Sequence, residues 1–240
     1  MQRFALVSGG SRGLGKASAI ALQAAGHRVA VVYHRNEAAA AAFSNATAIP
    51  AFQWDVGNFE ACRAGIAAVE SALGPVDILV NNAGVTSDAM LHRMTEQQWW
   101  QVINTNLGSM FNMSRNVIEG MRERHHGRII NISSINGQKG QVGQCNYSAA
   151  KAGVLGFTKA LALESARKNV TVNAIAPGYC DTEMLAGIAP EILEGIVGGI
   201  PVGRLGTPAD VARMVVFLAA EEAGFITGAT FEVNGGQYLD

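Results

Sequence analysis

The sequence predicts an α/β fold in which one doubly wound, parallel, seven-stranded sheet carries helices on both faces. Three observations support this prediction. Short β-rich runs alternate with helical patterns along all 240 residues. Most of these runs are apolar throughout, as strands buried on both faces must be. A glycine-rich segment also follows the first run. Alternating strands and helices form right-handed strand-helix-strand units, and these units build a doubly wound parallel sheet. No linker or repeat interrupts the pattern, so we expect a single domain over residues 1–240.

The individual elements follow from the same alternation. We predict strands over 3–9, 28–34, 48–55, 76–82, 127–134, 170–178 and 229–236. We predict helices over 14–25, 37–45, 58–73, 95–124, 147–168 and 208–220. Thr95 and Thr207 offer N-cap hydroxyls to two of these helices. The stretch 178–206 fits no sheet element and contains several Gly and Pro residues, so we expect a substrate lid around 179–206.

Composition excludes several classes of function. The formal net charge is −1 and 49% of the residues are hydrophobic, so no basic field favours nucleic acid or an anionic membrane surface. No apolar run is long enough for a signal peptide or a membrane span, and we expect a cytoplasmic protein. Cys62, Cys145 and Cys180 have no metal-ligand spacing, and neither do the histidines. We therefore expect free thiols and no metal site, and we weigh a nucleophilic cysteine only as a minor alternative.

The segment "SGGSRGLG" at 8–15 joins the first strand to the first helix. Its glycines lie where the chain must turn tightly and where backbone can approach a pyrophosphate, and the helix N-terminus attracts that anion. This placement makes the predicted fold Rossmann-like; the alternative is a plain strand-to-helix turn. The predicted cofactor contacts of the loop are Gly9, Ser11, Arg12, Gly13, Leu14 and Gly15.

The residues after the second strand favour NADP(H) over NAD. A carboxylate at this corner would bind the ribose 2′-hydroxyl and repel a 2′-phosphate. Here the strand ends at Tyr33 and continues into His34 and Arg35, and Arg12 lies in the glycine loop nearby. Two guanidinium groups favour the phosphate, whereas Glu37 favours the alternative that these arginines are simply solvated.

Two further strands end in residues suited to the cofactor. Asp55 ends the third predicted strand and Val56 follows it, and "NNAG" at 81–84 comes at the end of the fourth. The carboxyl ends of parallel strands form the edge where doubly wound sheets bind ligands. We therefore predict cofactor contacts from Asp55, Val56, Asn82, Ala83 and Gly84.

A tyrosine and a lysine suggest acid catalysis. Tyr147 and Lys151 are four residues apart on one predicted helix, so their side chains share a face. An ammonium beside the phenol lowers the tyrosine pKa and makes Tyr147 a better proton donor. Ser134, predicted at the carboxyl end of the fifth strand, can hydrogen-bond the same substrate oxygen. The alternative is that Tyr147 and Lys151 are surface residues paired by chance.

With these motifs together, the chain resembles a classical short-chain dehydrogenase/reductase over residues 5–236. The resemblance rests on "SGGSRGLG", "NNAG", the Asn within "INTNL", Ser134 with "YSAAK", and "PG" with a following threonine. It implies that Ser134, Tyr147 and Lys151 are catalytic and that Asn106 holds a proton-relaying water. It also implies that 175–182 contacts the nicotinamide end through Pro177, Gly178 and Thr182, with Tyr147 and Lys151 contacting the cofactor too.

Within the family, "NGQKGQVGQCNYSAAKAG" is similar to the acetoacetyl-CoA reductases of polyhydroxybutyrate synthesis. This similarity implies an acyl pocket lined by Gln141, Gln144 and Tyr179, beside Ser134 and Tyr147. Val142 stands where those enzymes often have Phe, which would widen the pocket. The implied reaction is NADPH-dependent reduction of acetoacetyl-CoA or a similar 3-oxoacyl thioester to the (R)-3-hydroxyacyl product.

Three alternatives stay open. The pattern ITGxTxxVNGG, present at 226–236, is shared with 3-oxoacyl-ACP reductases. Their acidic carrier protein would be met here by Arg122, Arg124 or Lys168. The others are a broad ketone or secondary-alcohol oxidoreductase and a non-catalytic nucleotide-binding regulator. The helices over 95–124 and 147–168 are apolar on more than one face, so we expect a second subunit there; the resemblance makes the assembly a homotetramer.

Overall fold

Seven parallel strands form one sheet in the order β3-β2-β1-β4-β5-β6-β7, which confirms the predicted doubly wound arrangement. The computed structural model describes residues 2–183, 185 and 189–239. The strands are β1 (Phe4–Ser8), β2 (Arg28–Tyr33), β3 (Ala51–Gln53), β4 (Ile78–Asn81), β5 (Gly127–Ile132), β6 (Val170–Pro177) and β7 (Thr230–Val233). Strand order reverses between β1 and β4, so the carboxyl ends of these two strands open a crevice for a ligand.

Eight α-helices connect and flank these strands in the described ranges. They are α1 (Gly13–Ala24), α2 (Glu37–Thr47), α3 (Phe59–Leu73), α4 (Glu96–Ile103), α5 (Ser109–Glu123), α6 (Cys145–Ser165), α7 (Pro190–Gly198) and α8 (Pro208–Ala219). Thr95 and Thr207 both cap their helices, and each completes a capping box with the residue three positions on. None of the described helices has the length and apolar character needed to cross a bilayer.

The core consists of two apolar layers, one on each face of the sheet. Along β1, Phe4 and Leu6 belong to one layer, and Ala5 and Val7 belong to the other, since successive side chains in a strand point to opposite faces. Residues of α3, α5 and α6 complete the first layer. Residues of α1, α2 and α8 complete the second. The uninterrupted apolar runs in the sequence reflect this burial from both sides.

Several predicted boundaries are wrong. The helix predicted over 95–124 is two helices joined by a π-helical turn, Asn104–Gly108. The third strand is shorter than predicted, and α6 begins at Cys145, two residues before Tyr147. Within the expected lid, α7 forms with Pro190 at its first position, where a missing N–H is tolerated. Residues 184 and 186–188 of the expected lid lie outside the described residues.

Candidate active site

The glycine loop is fastened to the end of β4 by Ser8 and Asn82. Ser8 Oγ accepts hydrogen bonds from the main-chain N–H groups of Asn82 (3.0 Å) and Ala83 (3.1 Å). In return, the Asn82 side chain donates to the carbonyls of Ser8 (3.0 Å) and Gly9 (3.1 Å). The Ser8 hydroxyl therefore joins the glycine loop to β4, and Asn82 shapes the loop.

Gly9 and Gly15 leave little room for side chains in the loop. Gly9 has φ +62°, and a Cβ there would come within 3.0 Å of the Ala83 Cα. A Cβ on Gly15 would lie 2.4 Å from both Asn82 Nδ2 and the Gly9 carbonyl oxygen. Gly13, also with positive φ, opens α1. The result is a close backbone turn at a helix N-terminus, which fits the pyrophosphate of a dinucleotide.

Replacing Ser8 with Ala should lower the free energy of unfolding by about 1–3 kcal/mol, since the N–H groups of Asn82 and Ala83 lose their acceptor. Ser8→Thr keeps the hydroxyl and serves as the matched control. Urea denaturation at fixed protein concentration measures both variants. Equal stability of Ser8→Ala and the unmodified protein would show that this contact does not stabilise the loop.

The predicted 2′-phosphate corner is open and basic. Arg12, the N-cap residue of α1, and Arg35, just beyond β2, are both exposed. Neither guanidinium has a hydrogen bond or ion pair with the described residues. His34 Nε2 lies 3.9 Å from Asp55 Oδ2, and Asp55 Oδ1 accepts from the Gly57 N–H. Val56 is buried beside them.

The start of the expected lid lies over the glycine loop. A Cβ on Gly13 would approach the Thr182 methyl group to 3.9 Å. Pro177 ends β6, and Gly178 donates its N–H to the Val233 carbonyl. A Cβ on Gly178 would lie 2.8 Å from the Asn234 Cα. The residues predicted for the two ends of the cofactor thus meet across one crevice.

Ser134, Tyr147 and Lys151 converge beside this crevice. Ser134 lies two residues beyond β5, where it caps a short 3₁₀ helix, and it hydrogen-bonds Tyr147. Lys151 Nζ lies 5.7 Å from the Tyr147 ring centroid and donates to the Ile132 carbonyl at 2.7 Å. Lys151 is 3% exposed. A phenol, a hydroxyl and a buried amine therefore share one site at the carboxyl edge of the sheet.

Asn106 adjoins this cluster through the π-helical turn. Its side chain donates to the Val85 carbonyl (2.8 Å) and accepts from the Val85 N–H (2.7 Å). A Cβ on Gly84 would lie 3.1 Å from Asn106 Oδ1 and 3.7 Å from Lys151 Nζ. The absence of a side chain at Gly84 therefore lets Asn106 and Lys151 approach each other. The Asn106 side-chain amide is therefore engaged by the Val85 backbone.

Comparison with known proteins matches nearly the whole chain. A family model described as enoyl-(acyl carrier protein) reductase matches residues 9–237. The chain is 62% identical to the acetoacetyl-CoA reductase of Shinella zoogloeoides and 61% identical to that of Rhizobium meliloti strain 1021, over the full length of each protein. The chain belongs to the short-chain dehydrogenase/reductase family.

A 3-oxoacyl-(acyl-carrier-protein) reductase is also among the relatives of this short-chain reductase. That protein, from Vibrio cholerae, is 44% identical over 99% of this chain and 98% of its own length. The family and its reductase members make the protein an oxidoreductase that acts on CH–OH groups. Such reductases use a nicotinamide cofactor, which the glycine cradle at 9–15 fits.

Burial governs the two titratable groups of the reductase site. It raises the pKa of Tyr147 to about 12; the Ser134 hydrogen bond lowers this pKa, and the Asp88 charge raises it. Burial also lowers the pKa of Lys151 to about 8. The expectation of a lowered tyrosine pKa is therefore wrong in this structure, because desolvation of Tyr147 is the largest effect on its pKa. Tyr147 keeps its proton at neutral pH, as a proton donor must.

The expected acyl-pocket residues are only partly brought together. Gln141 and Val142 are exposed, Val142 to 81%. Gln144 contacts Asp88 and Asn136, two residues that sequence reasoning missed. Tyr179 lines a separate groove with residues of α8 and β7. The described contacts do not join Tyr179 to the two glutamines.

Asn146 is a further residue that the sequence analysis missed. It is fully buried, and its side chain donates to the carbonyls of Ser87 (2.9 Å) and Gln98 (3.2 Å). Its Oδ1 accepts from the Tyr147 N–H. Asn146 thus joins the start of α6 to the segment after β4. Its position directly before Tyr147 was the feature of the sequence that could have identified it.

Proposed function

We propose that the protein reduces the C3 carbonyl of a short 3-oxoacyl thioester, acetoacetyl-CoA, to the (R)-3-hydroxyacyl thioester with NADPH. The observation that carries this proposal is the 62% identity, over full length, to an acetoacetyl-CoA reductase. The convergence of Ser134, Tyr147 and Lys151 supports it. We further propose that this reaction serves polyhydroxybutyrate synthesis in the cytoplasm.

Each group of the site has a defined task in this reaction. Bound NADPH supplies the hydride. Ser134 donates a hydrogen bond to the carbonyl oxygen, which stabilises the charge that develops there. Tyr147 delivers its proton to the same oxygen as the alkoxide forms. Lys151 holds the ribose, and its positive charge favours the phenolate that Tyr147 leaves behind. The described part of the stretch 179–206 would belong to the lid over the substrate.

The glycine loop and the strand ends would hold the cofactor. Gly9, Gly13 and Gly15 leave space for the pyrophosphate, and Arg12 and Arg35 offer unpaired positive charges for a 2′-phosphate. The other proposed cofactor contacts are Ser11, Leu14, His34, Asp55, Val56, Asn82, Ala83, Gly84, Tyr147, Lys151, Pro177, Gly178 and Thr182. Among these, Asn82 acts by shaping the loop.

Replacing Arg12 or Arg35 with Ala is expected to lower kcat/KM for NADPH about 10- to 100-fold, since a hydrogen bond to a charged group contributes about 1.5–3 kcal/mol. The same variants should leave kcat/KM for NADH nearly unchanged. Arg63→Ala is the matched control, because Arg63 is exposed and paired with Glu60 on α3. Equal losses with both cofactors would contradict the assignment of a 2′-phosphate site.

Reduction of an ACP-bound substrate is the second candidate, and the Vibrio cholerae relative favours it. Two of the residues expected to meet the carrier protein also make hydrogen bonds within the chain. Arg122 Nη1 donates to the Glu164 carbonyl, and Arg124 Nη2 donates to the Val76 carbonyl at 2.7 Å. Both guanidinium groups keep their positive charge and their remaining donors, so they stay available, with Lys168, to an acidic carrier protein.

Steady-state kinetics with NADPH test this choice of substrate. We expect kcat/KM to be highest for acetoacetyl-CoA, lower for acetoacetyl-ACP, and lowest for a plain ketone without a thioester. Crotonyl-CoA should not be reduced. Preference for the ACP substrate would identify the second candidate. Comparable rates with simple ketones would indicate a broad oxidoreductase, and failure with every ketone would indicate a non-catalytic nucleotide-binding protein.

The assembly that we propose is a homotetramer. Phe111 on α5 is 53% exposed and Leu163 on α6 is 84% exposed. Phe157 and Ile118 line a groove between these helices. Large apolar side chains on adjoining helices favour burial against a second copy of the chain. A monomeric mass in light scattering would contradict this assembly.

A further inference from the structure

Gln144 occupies the N-cap of α6 without capping it. Ser, Thr, Asp and Asn cap helices well, and glutamine is not among these residues. Instead, Gln144 Nε2 donates to Asp88 Oδ2 at 2.7 Å, and Gln144 Oε1 accepts from Asn136 Nδ2 at 3.0 Å. Because one end of the amide donates and the other accepts, these two partners fix the orientation of its side chain.

Asn136 connects this bridge to the catalytic serine. Its main-chain N–H donates to Ser134 Oγ at 3.1 Å. The Ser134 oxygen is thus an acceptor on this side, which leaves its proton for Tyr147 or for a substrate oxygen. Asn136 is 7% exposed, and its Oδ1 is buried without a partner among the described residues. An unsatisfied buried acceptor reduces stability, so stability alone does not explain an asparagine here.

Asp88 lies at the other end of the bridge, on a segment held from two sides. The Ala89 N–H donates to the Gly143 carbonyl at 2.9 Å, and Asn146 donates to the Ser87 carbonyl. The Lys151 ammonium lies 5.7 Å from the Tyr147 ring centroid on the same helix. The Asp88 carboxylate, on the segment between β4 and α4, raises the pKa of Tyr147.

We propose that Asp88, Gln144 and Asn136 form a positioning relay that holds the Ser134 hydroxyl for donation and keeps a negative charge beside Tyr147. All three act through Ser134 or Tyr147. The relay rests on the proposed function for its effect on turnover. The charge of Asp88 disfavours the Tyr147 phenolate, so removing that charge is expected to lower the pKa of Tyr147.

Two substitutions separate the two parts of the relay. Gln144→Leu breaks the bridge and should lower kcat for acetoacetyl-CoA reduction about 10- to 100-fold, with the NADPH Kd unchanged. Asp88→Asn keeps an acceptor for Gln144 but removes the charge, so Tyr147 should ionise at lower pH. The matched controls are Gln101→Leu and Glu96→Gln, two exposed positions on α4.

Ionisation of Tyr147 is measured without substrate, by ultraviolet difference titration of the phenolate in the NADP⁺ complex, with Tyr147→Phe subtracted. If the unmodified protein does not turn over acetoacetyl-CoA, the proposed function fails, and this titration still tests the relay. An unchanged titration in Asp88→Asn, or full kcat in a folded Gln144→Leu, overturns the relay. If Gln144→Leu does not fold, Gln144→Glu replaces it, because a carboxylate facing Asp88 also breaks the bridge.

Discussion

Replacing Tyr147 with Phe is expected to lower kcat/KM for reduction of acetoacetyl-CoA about 10²- to 10⁴-fold, because the substrate alkoxide loses its proton donor. The aromatic ring stays in place, so the packing of α6 and the position of Lys151 are retained. The NADPH Kd, followed by cofactor fluorescence, should change little. The loss therefore appears mainly in kcat, as expected for an interaction made in the transition state.

Near-normal reduction by a folded Tyr147→Phe variant would show that another group supplies the proton. Ser134→Ala gives a useful comparison, since it removes the hydrogen bond to the substrate oxygen while leaving the phenol. Because both residues act on one oxygen, we expect the double variant to lose much less than the product of the two single losses.

Replacing Lys151 with Met is expected to abolish most activity and to stabilise the protein. Burial lowers the Lys151 pKa to about 8 from an ordinary value of 10.5, so holding the ammonium in the fold costs about 3 kcal/mol at neutral pH. Losing the hydrogen bond to Ile132 offsets about 1 kcal/mol. Urea denaturation at pH 7 should therefore show a gain of roughly 2 kcal/mol in the free energy of unfolding.

The gain in the free energy of unfolding of Lys151→Met should decrease as pH rises. Between about pH 8 and 10.5 the unfolded chain binds the lysine proton and the folded chain does not, so the unmodified protein becomes more stable as pH rises. The advantage of Lys151→Met is largest below pH 8 and shrinks toward pH 10.5. Lys159→Met, at an exposed position on the same helix, should show neither effect. If the difference in the free energy of unfolding between Lys151→Met and the unmodified protein stays constant from about pH 8 to 10.5, burial does not lower the Lys151 pKa.

The sequence predicted the site where its signals were local. The spacing of Tyr147 and Lys151 on one helix, and the glycines between the first strand and helix, each follow from a short-range pattern. The apolar strands and their alternation with helices predicted the sheet. These features depend on residues that are close along the chain, or on the general rule that ligands bind at the carboxyl ends of parallel strands.

What the sequence did not reveal depends on distant contacts. Gln144 meets Asp88 only when α6 packs against the segment after β4, 56 residues earlier. The π-helical turn contains Asn106, whose side chain hydrogen-bonds the Val85 backbone. A periodic pattern of apolar residues in a helix does not reveal a contact of this kind. The pKa of Tyr147 was misjudged because helix spacing shows the neighbouring lysine and does not show the depth of burial. The helix α7 was missed because its glycines and proline resemble those of a loop.

The central claim is hydride transfer to the C3 carbonyl of acetoacetyl-CoA. The most direct test uses NADPH carrying deuterium at the transferred position of the nicotinamide, with the product analysed by mass spectrometry and NMR. We predict one deuterium at C3 of (R)-3-hydroxybutyryl-CoA for each NADPH consumed. A product without deuterium at C3, or no NADPH consumption with acetoacetyl-CoA, would contradict the account.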